Sequence, residues 1–247
     1  MYAISELKQM LFLDIETTTN GESLQDYNDI LNAEDRGLEH WEKKAKYVKG
    51  DKTEYADSTD AEVFQKDAAL YPEFGKVIVI SIGQITFPDG ITPVPKVKSF
   101  YGNDEKELLG DFMQTLSAIF AKNAKVQLVG HNIKGFDMPY IIKRSIINGV
   151  EVVPQLHLHK VKPWENCLLD TKDIWKFGGW SSASLSHICD LLGIPSPKQN
   201  MYGGEVAEAY WNGRLEEIKD YCEDDVVGTM NILLKMSSMQ LAEKNMS

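Results

Sequence analysis

The sequence predicts a mixed α/β fold: one β-sheet flanked by helices, with an acidic helical insertion after the first strand. Three observations carry the prediction. Apolar runs rich in β-branched residues occur at Leu11–Thr18, Lys76–Phe87 and Val94–Tyr101. Segments with apolar residues three and four apart follow at 104–121, 138–147 and 215–236. The order strand, strand, strand, helix, strand, helix gives a sheet whose faces helices must cover.

The first strand runs from Leu11 to Thr18 and carries two carboxylates, Asp14 and Glu16. Strand alternation sends both side chains to one face of the sheet, where like charges repel. The pair is either a solvated outer face or part of a divalent-cation site, since hard cations take oxygen ligands. Between Asn20 and Phe74 lies an acidic stretch with Leu24, Ile30, Leu31, Leu38, Trp41, Tyr47 and Val48 loosely at helical spacing. It reads as two or three helices forming a solvated, partly mobile insertion, with a direct substrate role as the alternative. Lys76–Phe87 is long enough for a central strand, and Pro88-Asp89-Gly90 reads as the turn into a third strand near Val94–Tyr101.

Residues 104–121 place Leu108, Leu109, Phe112, Met113, Leu116, Ile119 and Phe120 on one helical stripe. A short strand, Val126–Val129, then leads into the loop Gly130–Phe136, which ends at Asp137 with a helix behind it. Gln155–Trp164 is the most basic patch and alternates like an exposed strand. Within it His157 and His159 read as a polar edge near phosphate rather than a metal pair, because neither a cysteine nor a third histidine stands at ligand spacing. Ser184–Leu192 is a short helix, and Gly193–Lys198 a loop in which Lys198 is either solvated or in reach of a substrate. The last element, Leu215–Met236, buries Leu215, Ile218, Cys222, Val226, Met230 and Leu233 on one face, with Tyr221 and Asp225 one turn apart.

With 247 residues the chain can bury a sizeable core and is expected to act as a single domain, 1–247, with 20–74 inserted in it. No apolar run approaches the ~20 residues of a membrane helix, and the start of the chain lacks signal-peptide order, so a cytoplasmic protein without a membrane partner is expected. Three cysteines without CxxC spacing, Cys167, Cys189 and Cys222, read as small core residues. The net charge of -11 argues at first against a nucleic-acid partner. Residues 17–75, however, hold 14 acidic against 7 basic residues, so -7 of the charge sits there and only -4 elsewhere.

Asp14-Ile15-Glu16, Asn132 through Phe136-Asp137, and Tyr221 through Asp225 follow one another in an order that resembles the DEDD-type 3′-5′ exonucleases of the RNase H-like superfamily. The tyrosine branch fits. The sister branch carries histidine five positions before the last acid, where this chain has Asp220. Further stretches, including Leu156–Leu158, Leu192–Pro195 and Gly213–Cys222, are similar to a stand-alone family of predicted polymerase-B-like exonucleases. The likeness covers about residues 8–18 and 76–236 and leaves the insertion aside. It implies an RNase H-like sheet and cleavage of single-stranded DNA at 3′ ends, with RNA as the alternative substrate and a catalytically inactive nucleic-acid-binding module as the alternative function. It also implies two Mg²⁺ or Mn²⁺ ions held by Asp14, Glu16, Asp137 and Asp225, an attacking water oriented by Tyr221, and substrate contacts from the Thr17 main chain, Asn132 and Phe136. By residue type alone Asn132 reads equally as a loop cap and Phe136 as core.

Overall fold

The computed structural model describes residues 1–162, 165–180, 182–195 and 201–243. Trp164 and Lys198, named above, lie outside them. Five strands form one sheet: β1 (Met10–Thr19), β2 (Gly75–Thr86), β3 (Val94–Tyr101), β4 (Gln127–Gly130) and β5 (Leu168–Asp170). Their order is β3-β2-β1-β4-β5, antiparallel from β1 to β3 and parallel from β1 through β4 to β5. The helices are α1 (Ile4–Leu7), α2 (Leu24–Leu31), α3 (Arg36–Asp51), α4 (Asp60–Asp67), α5 (Glu105–Lys122), α6 (Asp137–Ile147), α7 (Thr171–Lys176), α8 (Leu185–Leu192), α9 (Val206–Trp211) and α10 (Leu215–Met236). Among the described residues no helix is long and apolar enough to cross a membrane.

The alternation of β1 builds two cores. Leu11, Leu13 and Ile15 face α5 and α6, packing with Phe112, Met138 and Ile141. Met10 and Phe12 face the opposite way, against Val226, Met230 and Leu233 of α10. Asp14 and Glu16 continue that second row, so the strand delivers its acids to the α10 side. α10 can lie close because β2 has Gly83 opposite Phe12: a Cβ there would collide with Val226 and Met230.

α5 starts at Asp104, whose carboxylate accepts the Glu107 N–H, and its apolar stripe is buried as the spacing predicts. A buried ion pair ties it to α6. Arg144 donates from Nε and Nη2 to both oxygens of Glu105 at 2.9 and 2.6 Å, and from Nη1 to the Pro72 carbonyl at 3.0 Å. Glu105 also accepts the Val77 N–H at 2.7 Å. One pair therefore joins two helices, a strand and the end of the insertion.

Three expectations need correction. The insertion is not merely a solvated excursion: Tyr27, Trp41, Ala45, Val48, Tyr55, Val63, Phe64 and Phe74 form a core of their own, although Ile30, Leu31 and Tyr47 are exposed. Trp41 anchors it, its indole donating to the Asp60 carbonyl at 2.7 Å. Gln155–Trp164 forms no exposed strand where it is described. It makes two 3₁₀ turns, Pro154–Leu156 and Leu158–Lys160, because Pro154 at the first helical position favours a turn; the fifth strand is instead Leu168–Asp170. Cys189 and Cys222 are buried, whereas Cys167 is half-buried.

Removing one partner of a buried pair leaves the other charge uncompensated and costs about 3–5 kcal/mol. Arg144→Met is therefore expected to lower the unfolding free energy by about that amount in urea melts, and a loss below about 1 kcal/mol contradicts the tie described here.

Candidate active site

The site lies where three parallel strands end. β1 pairs with β4 only through Met10, Leu11 and Phe12. From Leu13 onward the β1 edge on that side faces the loop 130–136, and Gly130 comes so near that a Cβ would meet the Leu13 carbonyl at 2.9 Å. Such openings at strand carboxyl ends are where α/β sheets hold ligands.

Asp14 and Glu16 rise from β1, Asp137 is the first residue of α6, and Tyr221 and Asp225 face in from α10. The structure thus brings together five residues that the sequence spreads over more than two hundred positions. Burial, followed by Asp225, Asp137 and Glu16 around it, pushes the Asp14 carboxyl well above the usual carboxylate range. Asp137 is pushed up to about 7, chiefly by burial, with Asp170 and Asp225 adding to it while its own and the Ile15 backbone N–H groups hold it down. The Tyr221 hydroxyl donates to Asp225, and burial with the neighbouring acids drives its pKa far up, so it is a neutral donor at any ordinary pH.

Cys222 is more than core filling. Its thiol donates to the Asp14 carbonyl at 3.4 Å and to its carboxylate at 3.5 Å, and burial holds it protonated. Ligand atoms of Asp14, Glu16 and Cys222 lie within 4.8 Å of one another. A buried neutral thiol is a poor ligand for a hard cation, whereas Asp14 and Glu16 supply the oxygen donors that Mg²⁺ and Mn²⁺ take, with Asp137 and Asp225 near enough to raise the Asp14 pKa. The donor set therefore fits a hard divalent ion, with Cys222 holding Asp14 in orientation.

The loop before Asp137 is pinned by a residue the sequence reading missed. Asp170, buried at the end of β5, accepts the N–H groups of Asn132 at 2.9 Å, Lys134 at 3.2 Å and Lys172 at 2.9 Å. Its signal was available: Leu168-Leu169-Asp170 repeats the apolar run ending in an acid seen at Leu13-Asp14. His131 adds a second pin between Thr171 and the Ala183 carbonyl, both at 3.0 Å. Asn132 takes a left-handed φ of 71°, and its amide oxygen accepts from Lys172 at 3.3 Å. Gly135 beside it has no room for a Cβ, which would lie 2.8 Å from that oxygen.

The remaining candidates are divided. The Thr17 hydroxyl donates to the Ala69 carbonyl at 2.9 Å, so only its main chain is left to meet a ligand. Phe136 is half-buried, packed partly on the core and 5.4 Å from the Tyr140 ring. With Glu16, Thr17, Lys66, Leu70 and Gly203 it lines a cleft of about 480 Å³. His157 and His159 do not join the acids; their rings sit 6.1 Å apart on the 3₁₀ turns, with Lys160 3.3 Å from His157 Nδ1.

The electrostatics give a pH prediction of unusual sign. In the unfolded chain Asp137 ionises near the ordinary aspartate value of 3.8, in the folded chain only at about 7. Between these values the folded state retains protons that the unfolded state has released, so metal-free stability falls as pH rises through that window. Asp137→Asn is expected to raise the Tm of the metal-free protein by several degrees at pH 7 and to leave it unchanged at pH 4. An equal gain at both values would remove the charge argument.

None of the curated protein sequences matches the chain. Among solved structures, the family B DNA polymerase from the hyperthermophilic archaeon Pyrobaculum calidifontis superposes with a TM-score of 0.52 and 17% identity, covering 92% of this chain and 24% of the polymerase. The chain thus spans about a quarter of that protein's length, and the likeness establishes the fold: an RNase H-like mixed sheet flanked by helices. Residues 70–245 match the family described as predicted 3′-5′ exonucleases related to the exonuclease domain of PolB. This match covers most of the sequence, including Asp137, Tyr221 and Asp225, and the chain belongs to that family of exonucleases.

Proposed function

We propose that the chain is a metal-dependent exonuclease that removes nucleoside monophosphates from the 3′ end of single-stranded DNA, with the insertion and the sheet acting as one catalytic unit in the cytoplasm. The observation that carries the proposal is the convergence of Asp14, Glu16, Asp137 and Asp225 from a strand, a helix start and a second helix, at the cost of the ionisation of Asp14 and Asp137. Such crowding destabilises a protein that has no cation to bind. Two Mg²⁺ or Mn²⁺ ions, when bound, supply Lewis acidity to a water and to the phosphoryl group.

Around that chemistry the chain's own residues have distinct tasks. Asp14, Glu16 and Asp225 would hold the ion that activates the water, and Asp137 would hold the second. Tyr221 cannot act as a base, because its proton is held far above neutral pH. It orients the attacking water, and its bond to Asp225 fixes the direction of its hydroxyl. Phe136 offers a ring face to a base and Asn132 its amide N–H₂ to the sugar-phosphate. The main chain at Thr17 lies beside the terminal nucleotide in the cleft under Leu70.

The test uses 5′-labelled single-stranded DNA and RNA of matched sequence with Mg²⁺ or Mn²⁺. A ladder shortening from the 3′ end of DNA, abolished by EDTA and by Asp14→Ala, is the expected result. A stronger ladder on RNA transfers the site to that substrate, and binding without cleavage in either metal refutes the nuclease proposal. Tyr221→Phe is expected to slow cleavage by about ten- to a hundred-fold, the scale of a misplaced reacting group, while metal-induced stabilisation persists. Unchanged turnover would exclude the tyrosine from the mechanism.

A further inference from the structure

The insertion lies almost wholly outside the family match, which begins at residue 70, and it carries a surface that the active site does not explain. On α3 the residues Trp41, Ala45 and Val48 form the buried stripe. On another face His40, Lys43, Lys44 and Tyr47 stand at i, i+3, i+4 and i+7, so they form one continuous row. That row, with Tyr71 and with Lys143 of α6, lines a groove of about 800 Å³. Tyr47 is 74% exposed and Leu31, also on the groove, 42%. Large apolar side chains gathered on an open groove mark an interaction site.

Charge points to the occupant. The segment around the groove is strongly acidic, yet the groove gathers three lysines against one acid, Glu73. Lys44 is held 3.6 Å over the Tyr71 ring, and Lys143 pairs with Glu73 at 2.9 Å, both partners about half exposed. An exposed pair of this kind contributes little and yields readily to a phosphate. Lysines beside the exposed Tyr47 ring match a single nucleic-acid strand, whose phosphates meet the cations and whose bases stack on the ring. α6 links the two places: Lys143 lies six residues, roughly 9 Å of helix rise, beyond Asp137.

We infer that this basic, tyrosine-lined groove on the insertion is a second binding site for single-stranded nucleic acid, which holds the strand 5′ of the nucleotide being removed. The inference rests on the exonuclease reading for its direction but not for binding itself.

The experiment measures binding of fluorescein-labelled (dT)16 by anisotropy in EDTA, and cleavage of (dT)16 and of the dinucleotide TpT in Mn²⁺, using the full chain. The double variant Lys43→Glu/Lys44→Glu is expected to weaken (dT)16 binding by about ten-fold or more and to reduce the log–log salt slope by roughly 1.4, the single-strand value for two phosphate contacts. Tyr47→Ala, a change at an exposed position that leaves the insertion core intact, is expected to weaken binding by about five-fold or more through lost stacking. Both variants should raise KM for (dT)16, keep its kcat, and cleave TpT as wild type does. Unchanged (dT)16 binding in both variants overturns the inference, as does an equal loss on TpT or competition by polyglutamate as strong as by (dT)16. If wild-type protein binds (dT)16 through these residues and cleaves nothing, the groove stands and the exonuclease reading falls.

Discussion

Mutual repulsion among buried carboxylates is the constraint on which the rest of this structure depends. Asp14, Asp137 and Asp225 each raise the ionisation cost of another, and Glu16 adds to Asp14. Left to local preferences they would separate into water. They stay together because each is attached to an element whose position is fixed by apolar burial elsewhere. Phe12 and Met10 commit β1 to α10, Leu13 and Ile15 commit it to α5 and α6, and Met138 and Ile141 commit α6. The hydrophobic cores hold the charges in place.

The change from antiparallel to parallel pairing at β1 is what gives those charges space. A strand paired on both sides along its whole length would offer its main chain to neighbours only. Here β4 leaves β1 after Phe12, and the freed edge receives Asp137 through the Ile15 N–H. Asp170 does for the loop what the sheet does for the strand: by taking three backbone N–H groups it fixes the route from β4 to α6. It is a positioning residue for Asp137 and also one of the charges that raise its pKa.

The insertion is joined to this centre rather than hung from it. The Ala69 carbonyl accepts from both Thr17 and Tyr140, the Pro72 carbonyl from Arg144, and Lys143 reaches Glu73. Its own aromatic core, with Trp41 edge-on to Phe64 and Phe74, lets three short helices keep their shape without borrowing from the main cores. Two surfaces follow: Tyr55, Lys66, Ala69 and Leu70 line the cleft with Glu16, and His40, Lys43, Lys44 and Tyr47 line the basic groove.

Much of this was legible in the sequence because periodicity is a local signal. The limits of β2, β3, α5 and α10 fell within a residue or two of the apolar patterns, and the order of Asp14, Asp137, Tyr221 and Asp225 identified the family. Where local pattern misled, a distant partner had decided. Gln155–Trp164 alternates like a strand, yet β4 pairs instead with the shorter Leu168–Asp170. Cys222 looked like core and turned out to face Asp14, because helix spacing says which residues share a face but not what lies opposite. Asp170, the tie between Glu105 and Arg144, and the row from His40 to Tyr47 beside Lys143 likewise depend on contacts between residues far apart in the chain. Sequence alone determined the elements and the order in which the candidate acids follow one another. Tertiary structure decided what each one faces, since burial and Coulomb energy depend on distance in space, which the order of residues does not contain.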